Sequence, residues 1–165
     1  MSTDKYRAAL DAAAKQLSCR ALSAKMLRDK LIAKGHDEEA ADYALAWLAE
    51  RSLLSDAQFA ESVVRSYTRR GYGAARAKSI LYEKGIPKEL WDEALEELPE
   101  MDGAIDTFLR RKLDGRTLDA KQIKKTVDAL LRRGHSYHDI QAGLRRYEAS
   151  LSLEQTQEDT WEDME

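Results

Sequence analysis

An all-α protein built from tandem three-helix repeats is what this sequence predicts, and three observations carry that prediction. A basic residue followed by glycine recurs at Lys34-Gly35, Lys84-Gly85 and Arg133-Gly134, at shifts of 85 − 35 = 50 and 134 − 85 = 49. Around these pairs Leu31 falls on Leu81 and Leu130, Ala24 on Ala74, Ala44 on Ala94, and Leu45 on Leu95 and Leu144. A period of this size marks an array whose neighbours bury one another's apolar faces. Apolar residues also recur at helical spacing along the chain, and no run alternates as a strand would. Finally, 35% charged and 7% aromatic residues with eight Gly and two Pro describe a helix-rich chain and exclude a sandwich, a barrel or a disulfide scaffold. The expected body is elongated and curved, with about nine helices. Its expected parts are an opening helix and first repeat over 1–55, a central repeat over 56–100, a third repeat over 101–150 and a disordered acidic tail over 151–165.

The opening helix is expected over Asp4 to Leu17, with Tyr6, Leu10, Ala13, Ala14 and Leu17 inward. Ser23 can cap the next helix, which buries Ala24, Leu27 and Leu31 and stops at Gly35. Asp37 then caps a helix burying Ala41, Ala44, Leu45 and Leu48. Ser55 and Gln58 form a capping box, with Leu54 positioned to staple onto Phe59, and that helix turns Phe59, Val63 and Tyr67 inward. After Gly71-Tyr72-Gly73 a helix from Ala74 to Lys84 buries Ala74, Ala77 and Leu81. Pro87 suits the first turn of the helix carrying Leu90, Trp91, Ala94, Leu95 and Leu98, which Pro99 ends. A helix from about Met101 to Leu113 stops at Gly115, and one from about Asp119 to Arg133 turns Ile123, Val127, Leu130 and Leu131 inward. Ser136 and Asp139 cap the last helix, which carries Ile140, Leu144 and Tyr147.

Charge is segregated. Asp37 to Glu61 holds seven acids against Arg51 alone, whereas Arg65, Arg69, Arg70, Arg76 and Lys78 stand without an acid among them. A second basic block spans Arg110 to Arg146, and Glu154 to Glu165 carries acids only. Such blocks suit a charged partner, and the acidic end beside the basic third repeat is expected to repel free DNA. No apolar run is long enough to cross a bilayer. The start, MSTDKYRAAL, lacks the apolar stretch of a signal peptide, which places the protein in the cytoplasm. Cys19 is the single cysteine and is expected to be a small buried residue at the end of the first helix.

The candidate contact residues are Arg69, Arg70, Tyr72, Arg76, Lys78, Lys121, Lys124, Lys125, Arg132 and Arg133. Each has a plainer reading. The basic residues can be a solvated helix face, and Lys121, Lys124 and Lys125 sit at i, i+3 and i+4, as on any polar face. Tyr72 is either a core wedge or an exposed aromatic contact, and the three Lys/Arg-Gly pairs are helix stops before they are contacts. His135 and His138 find no further ligand, so no metal is expected. Glu38-Glu39 and Glu96-Glu97 have no partner to tune them, Gly71-x-Gly73 lacks the rest of a phosphate loop, and no catalytic constellation or cofactor is expected.

The segment Arg70-Gly71-Tyr72-Gly73, with Arg76, Leu81 and Lys84-Gly85-Ile86, resembles the RecX regulators of the RecA recombinase. Leu54-Ser55-Asp56 with Phe59 is similar to that family's Leu-Asp-Asp-x-x-Phe signal, and Arg132-Arg133-Gly134 with Asp139-Ile140 to its C-terminal one. The likeness covers about residues 15 to 148. Ser55 stands where the family usually has Asp, Ala74 where Pro is common, Ala77 where isoleucine is usual and Ile80 where glutamate is usual. The resemblance implies a non-enzymatic monomer that lies in the groove of the RecA–DNA filament, spans neighbouring protomers, and lowers ATP hydrolysis and strand exchange. Some members bind DNA weakly, so the alternative is a DNA-binding helical protein that acts by competing for DNA; a generic helical adaptor is the third reading.

Overall fold

The computed structural model describes residues 2–96, 102–116 and 118–162, and among these every regular element is helical. The elements are α1 (Ser2–Cys19), α2 (Ala24–Ala33), α3 (Glu38–Glu50), α4 (Asp56–Arg69), α5 (Ala74–Glu83), a 3-10 turn (Lys88–Leu90), α6 (Trp91–Glu96), α7 (Asp102–Leu113), α8 (Ala120–Arg132) and α9 (Tyr137–Glu162). They form three triplets, α1–α3, α4–α6 and α7–α9. The chain packs as two compact units, one of Met1–Ser66 with Lys78–Glu97, the other of Tyr67–Ala77 with Leu98–Glu165. The central triplet is therefore shared: its glycine turn packs with the third triplet, and the rest of it with the first.

Four caps are as the sequence predicts. Ser23 Oγ accepts from the Met26 amide, Asp37 from Ala40, Ser55 from Gln58 and Ser136 from Asp139. The three basic-glycine pairs close their helices identically. Gly35, Gly85 and Gly134 have φ of +98°, +73° and +93°. In each, the glycine N–H bonds three residues back and the following N–H five back, as His135 does to Leu130.

In the first unit α1 meets α2 and α3 through small residues, Ala9 and Ala13 against Ala40, Ala41 and Ala44, with Leu22, Leu27, Leu31, Leu48 and Leu54 filling the remaining space. Each of those leucines contributes about 2 kcal/mol by leaving water. The buried stripe of α1 centres on Ala9 and the expected Ala13, with Tyr6, Leu10 and Leu17 packed against the core as expected, whereas Ala14 is exposed. Cys19 is exposed, not buried; at 100° per residue it lies roughly 240° around the helix from Ala13. On α4 the stripe centres on Ala60 and Val64, and Phe59, Val63 and Tyr67 flank it outside the core. Pro87 opens the 3-10 turn and not the α-helix, and Trp91 Nε1 donates to the Ile86 carbonyl at 3.0 Å. Ile80 is buried with Leu81.

In the second unit α7, α8 and α9 bury Ile105, Phe108, Leu109, Leu113, Val127, Leu130, Ile140, Leu144 and Tyr147. Gly143 lets α9 lie against α7, since a Cβ there would run into Ile105. Arg146 clips the same pair by two-point bonding to Asp106, at 2.9 and 3.1 Å. The Tyr147 hydroxyl donates to Asp114 at 2.7 Å. Leu131, expected inside, is 43% exposed, because Val127 and Leu130 already occupy the inward stripe of α8. The segment expected to be disordered continues α9 as helix to Glu162. No Gly or Pro follows Gly143, and Leu, Glu and Gln favour helix. Leu98, Pro99 and Met101, which the sequence uses to end one helix and begin the next, lie outside the described residues.

Candidate functional site

The repeat joints build the site. In the second unit the Gly71-Tyr72-Gly73 turn lies directly on Arg133-Gly134: the Gly73 amide donates to the Arg133 carbonyl at 2.8 Å and the Ala75 amide to the Gly134 carbonyl at 3.2 Å. A Cβ on Gly73 would overlap the Gly134 carbonyl, and one on Gly134 would overlap the Arg76 main chain. His135, only 5% exposed, places Nε2 2.9 Å from the Gly71 carbonyl, which fixes the tautomer as Nε2–H donating. Arg133 Nη2 donates to the Arg70 carbonyl at 2.8 Å.

This joint gathers cations around aromatic rings. The Arg133 guanidinium lies 4.6 Å from the Tyr72 ring centre and 5.6 Å from that of Phe108. Arg70 lies 4.8 Å from Tyr67 and 5.4 Å from Tyr72, and the two tyrosine rings are 5.5 Å apart. Arg111 and Lys112 sit over Phe108 at 5.6 and 5.7 Å, one turn along α7 from it. Arg69, Arg70, Arg111 and Arg133 line an open cleft of about 390 Å³ with Phe108. A second cleft, about 270 Å³, is lined by Phe108 with Lys112, Arg116, Lys125 and Arg132. Among the described residues none of these eight cations has a carboxylate within ion-pair distance.

Of the predicted residues, the structure brings Arg69, Arg70 and Arg133 to the first cleft, where Arg70 and Arg133 stack on the Tyr72 ring, and Lys125 and Arg132 to the second. Tyr72 is half-buried, wedged and cation-bearing at once. Arg76 packs its main chain on Gly134, Lys124 bonds Asp128 at 3.5 Å, and Lys121 is exposed. Lys78 belongs to the other unit, beside Tyr82 and Trp91. Sequence reasoning did not single out Phe108, Arg111 and Lys112 as contacts, and weighed His135 only as a metal ligand. The i, i+3, i+4 spacing of Phe108, Arg111 and Lys112 is a signal that could have found the first three.

Helix triplets in tandem define a three-helix-repeat protein, and among the described residues its second unit carries basic clefts without a paired carboxylate. Residues 9–48 match the first three-helix domain of RecX and residues 55–95 the second. The regulatory protein RecX of Chromohalobacter salexigens is 33% identical over 131 residues, covering 79% of this chain and 86% of that one. The regulatory protein RecX of Cronobacter sakazakii is 33% identical over 157 residues, covering 87% and 94%. The crystal structure of RecX from Lactobacillus salivarius matches in fold with a TM-score of 0.79 at 23% identity, over 89% of this chain and 99% of that one. The chain belongs to the RecX family of regulatory proteins. No helix among the described residues is long and apolar enough to cross a membrane.

Proposed function

We propose that this chain is a negative regulator of RecA, a cytoplasmic monomer that binds in the groove of the RecA–DNA filament, lowers ATP hydrolysis and strand exchange, and so modulates recombination and DNA repair. Family membership supports the reading, and one structural observation carries it: the second unit gathers Arg69, Arg70, Arg111 and Arg133 on one cleft with no carboxylate beside them among the described residues. A surface of that kind recognises an anionic partner, and several modest contacts on a repeat array add by avidity. The same unpaired cations favour the second reading, direct competition for DNA.

The test is DNA-dependent ATP hydrolysis by the cognate RecA with this protein titrated in. Inhibition well below equimolar amounts and unaffected by extra DNA is expected. Inhibition relieved by extra DNA would replace the filament reading with the competition reading, and no inhibition would sink both. Reversing Arg69 and Arg70 to Glu, with Arg76 left on Gly134, should raise the half-inhibiting concentration at least about tenfold, as expected when interface charges change sign.

A further inference from the structure

Arg69, Arg70, Arg111 and Arg133 share one cleft, and such a density of like charge is normally relieved by a nearby Asp or Glu. Here three of the four guanidinium groups are held by other means. Arg70 rests on Tyr67 and Tyr72, Arg133 on Tyr72 and Phe108, and Arg111 on Phe108. A ring face attracts a cation without neutralising it, so the cleft keeps its full charge while its donors are already positioned. The Arg133 bond to the Arg70 carbonyl adds a further constraint that consumes no charge. Guanidinium forks match phosphate oxygens two at a time. The rings that would otherwise stack on bases are engaged, Tyr72 by two guanidinium groups and the Tyr67 ring, Phe108 by three cations while 7% exposed.

We propose that this cleft is a polyphosphate site that takes two or more phosphate groups together, and that Tyr72 and Phe108 serve it as platforms for guanidinium groups and not as stacking surfaces for bases. The phosphates can belong to a nucleic-acid backbone or to a free nucleotide or polyphosphate. The proposal names the ligand chemistry of the cleft on which the filament reading also rests, and the two fail separately, since a chain that binds phosphate here can still fail to inhibit RecA, and the reverse.

The experiment is fluorescence anisotropy with the full-length chain, using a labelled single strand, the same strand made fully abasic, and inorganic tripolyphosphate as competitor, over a series of salt concentrations. Both strands should bind within about twofold of one another. Replacing Arg70→Gln and Arg111→Gln together should lower the slope of log affinity against log salt by roughly 1.4, about 0.7 for each phosphate that is no longer neutralised. Neither side chain bonds another side chain among the described residues, so helical circular dichroism should stay unchanged. Tyr72→Leu should weaken both strands equally, by about threefold, the size of one exposed cation–π interaction, and Tyr72→Phe should restore binding. Displacement by tripolyphosphate beyond its ionic-strength effect would identify a free polyphosphate as the source. Displacement that merely tracks ionic strength would identify the strand backbone. The proposal is overturned if Tyr72→Leu weakens the base-bearing strand alone, if the double arginine variant keeps the wild-type slope, or if neither strand nor tripolyphosphate binds.

Discussion

The turns at Lys84-Gly85 and Arg133-Gly134 share one backbone conformation, and each receives the start of the second helix of the preceding triplet, yet different chemistry closes them. At the first, inside one unit, the fully buried Ser23 donates its hydroxyl to the Lys84 carbonyl while accepting from the Met26 amide. At the second, inside the other unit, Gly73 occupies the place of Ser23 and the main chain itself makes the bond to Arg133. The third turn, Lys34-Gly35, has open space around the glycine. At the first joint a Cβ on Gly85 would meet the Lys25 side chain, whereas at the second a Cβ on Gly73 would meet the main chain of Gly134 and His135. The joint of main chain on main chain is the one that carries Tyr72, Arg70 and Arg133 together.

The largest effect should come from breaking the glycine joint. Gly73→Ala requires no unusual φ, but its Cβ would overlap the Gly134 carbonyl, so a backbone must move; we expect a loss of about 3 kcal/mol in chemical denaturation. Gly35→Ala is the control for the open turn. It has only the strain of φ +98° to bear, about 1 kcal/mol. Equal losses for the two variants would show that steric contact does not distinguish the joints.

Ser23→Ala should have an intermediate effect, about 2 kcal/mol, from removal of a helix cap and an unsatisfied Lys84 carbonyl. A loss below about 0.5 kcal/mol, the low end for a helix cap, would mean that the hydroxyl does not close the first joint.

The smallest effect is electrostatic and lies beside the open turn. Lys5 bonds Asp37 at 3.0 Å and Glu39 at 3.4 Å. The Ala40 amide and then Lys5 hold the Asp37 carboxyl below its ordinary range, and the Tyr6 hydroxyl and then Lys5 do so for Glu39. Folded values below unfolded ones mean stability that is present above the unfolded carboxylate range, near about pH 4, and lost as pH falls below it through the folded values. Lys5→Met should flatten that acid-side decline, and added salt should mimic the substitution because these groups are exposed. The other unit has the opposite signature. Burial, then the bond to Asp114, pushes the Tyr147 phenol up to about 12. Its contribution is present below about pH 10 and lost on rising towards the folded value, and Tyr147→Phe should remove that alkaline step.

Much of the fold is legible in local sequence because capping and helix termination are local events. Ser23, Asp37 and Ser55 need only their own next turn, and glycine after Lys or Arg needs only its own φ. Burial was legible to within one helical position on α4, where Val64 replaces Val63 by a rotation of about 100°, which composition cannot resolve. Cys19 and Leu131 failed because each lies beside a stripe already filled by others. The candidate site was half legible. Arg69, Arg70, Tyr72 and Arg133 carry their signal in basic runs around glycine turns, whereas His135 has none, since its partner is the Gly71 carbonyl 64 residues away.

By itself the sequence determined an all-helical repeat protein, its period, its caps and its segregated charge, all of which depend on local spacing or on simple recurrence. Only the tertiary structure decided that the central triplet divides between two units and that Lys84-Gly85 and Arg133-Gly134 are seats as well as stops. It also decided that Phe108, far from the glycine turn in sequence, lies among its arginines. The physical reason is that seating one turn on another depends on the fit of two surfaces separated by many residues. No spacing within either segment encodes that fit, and glycine reveals it only where a Cβ would have collided.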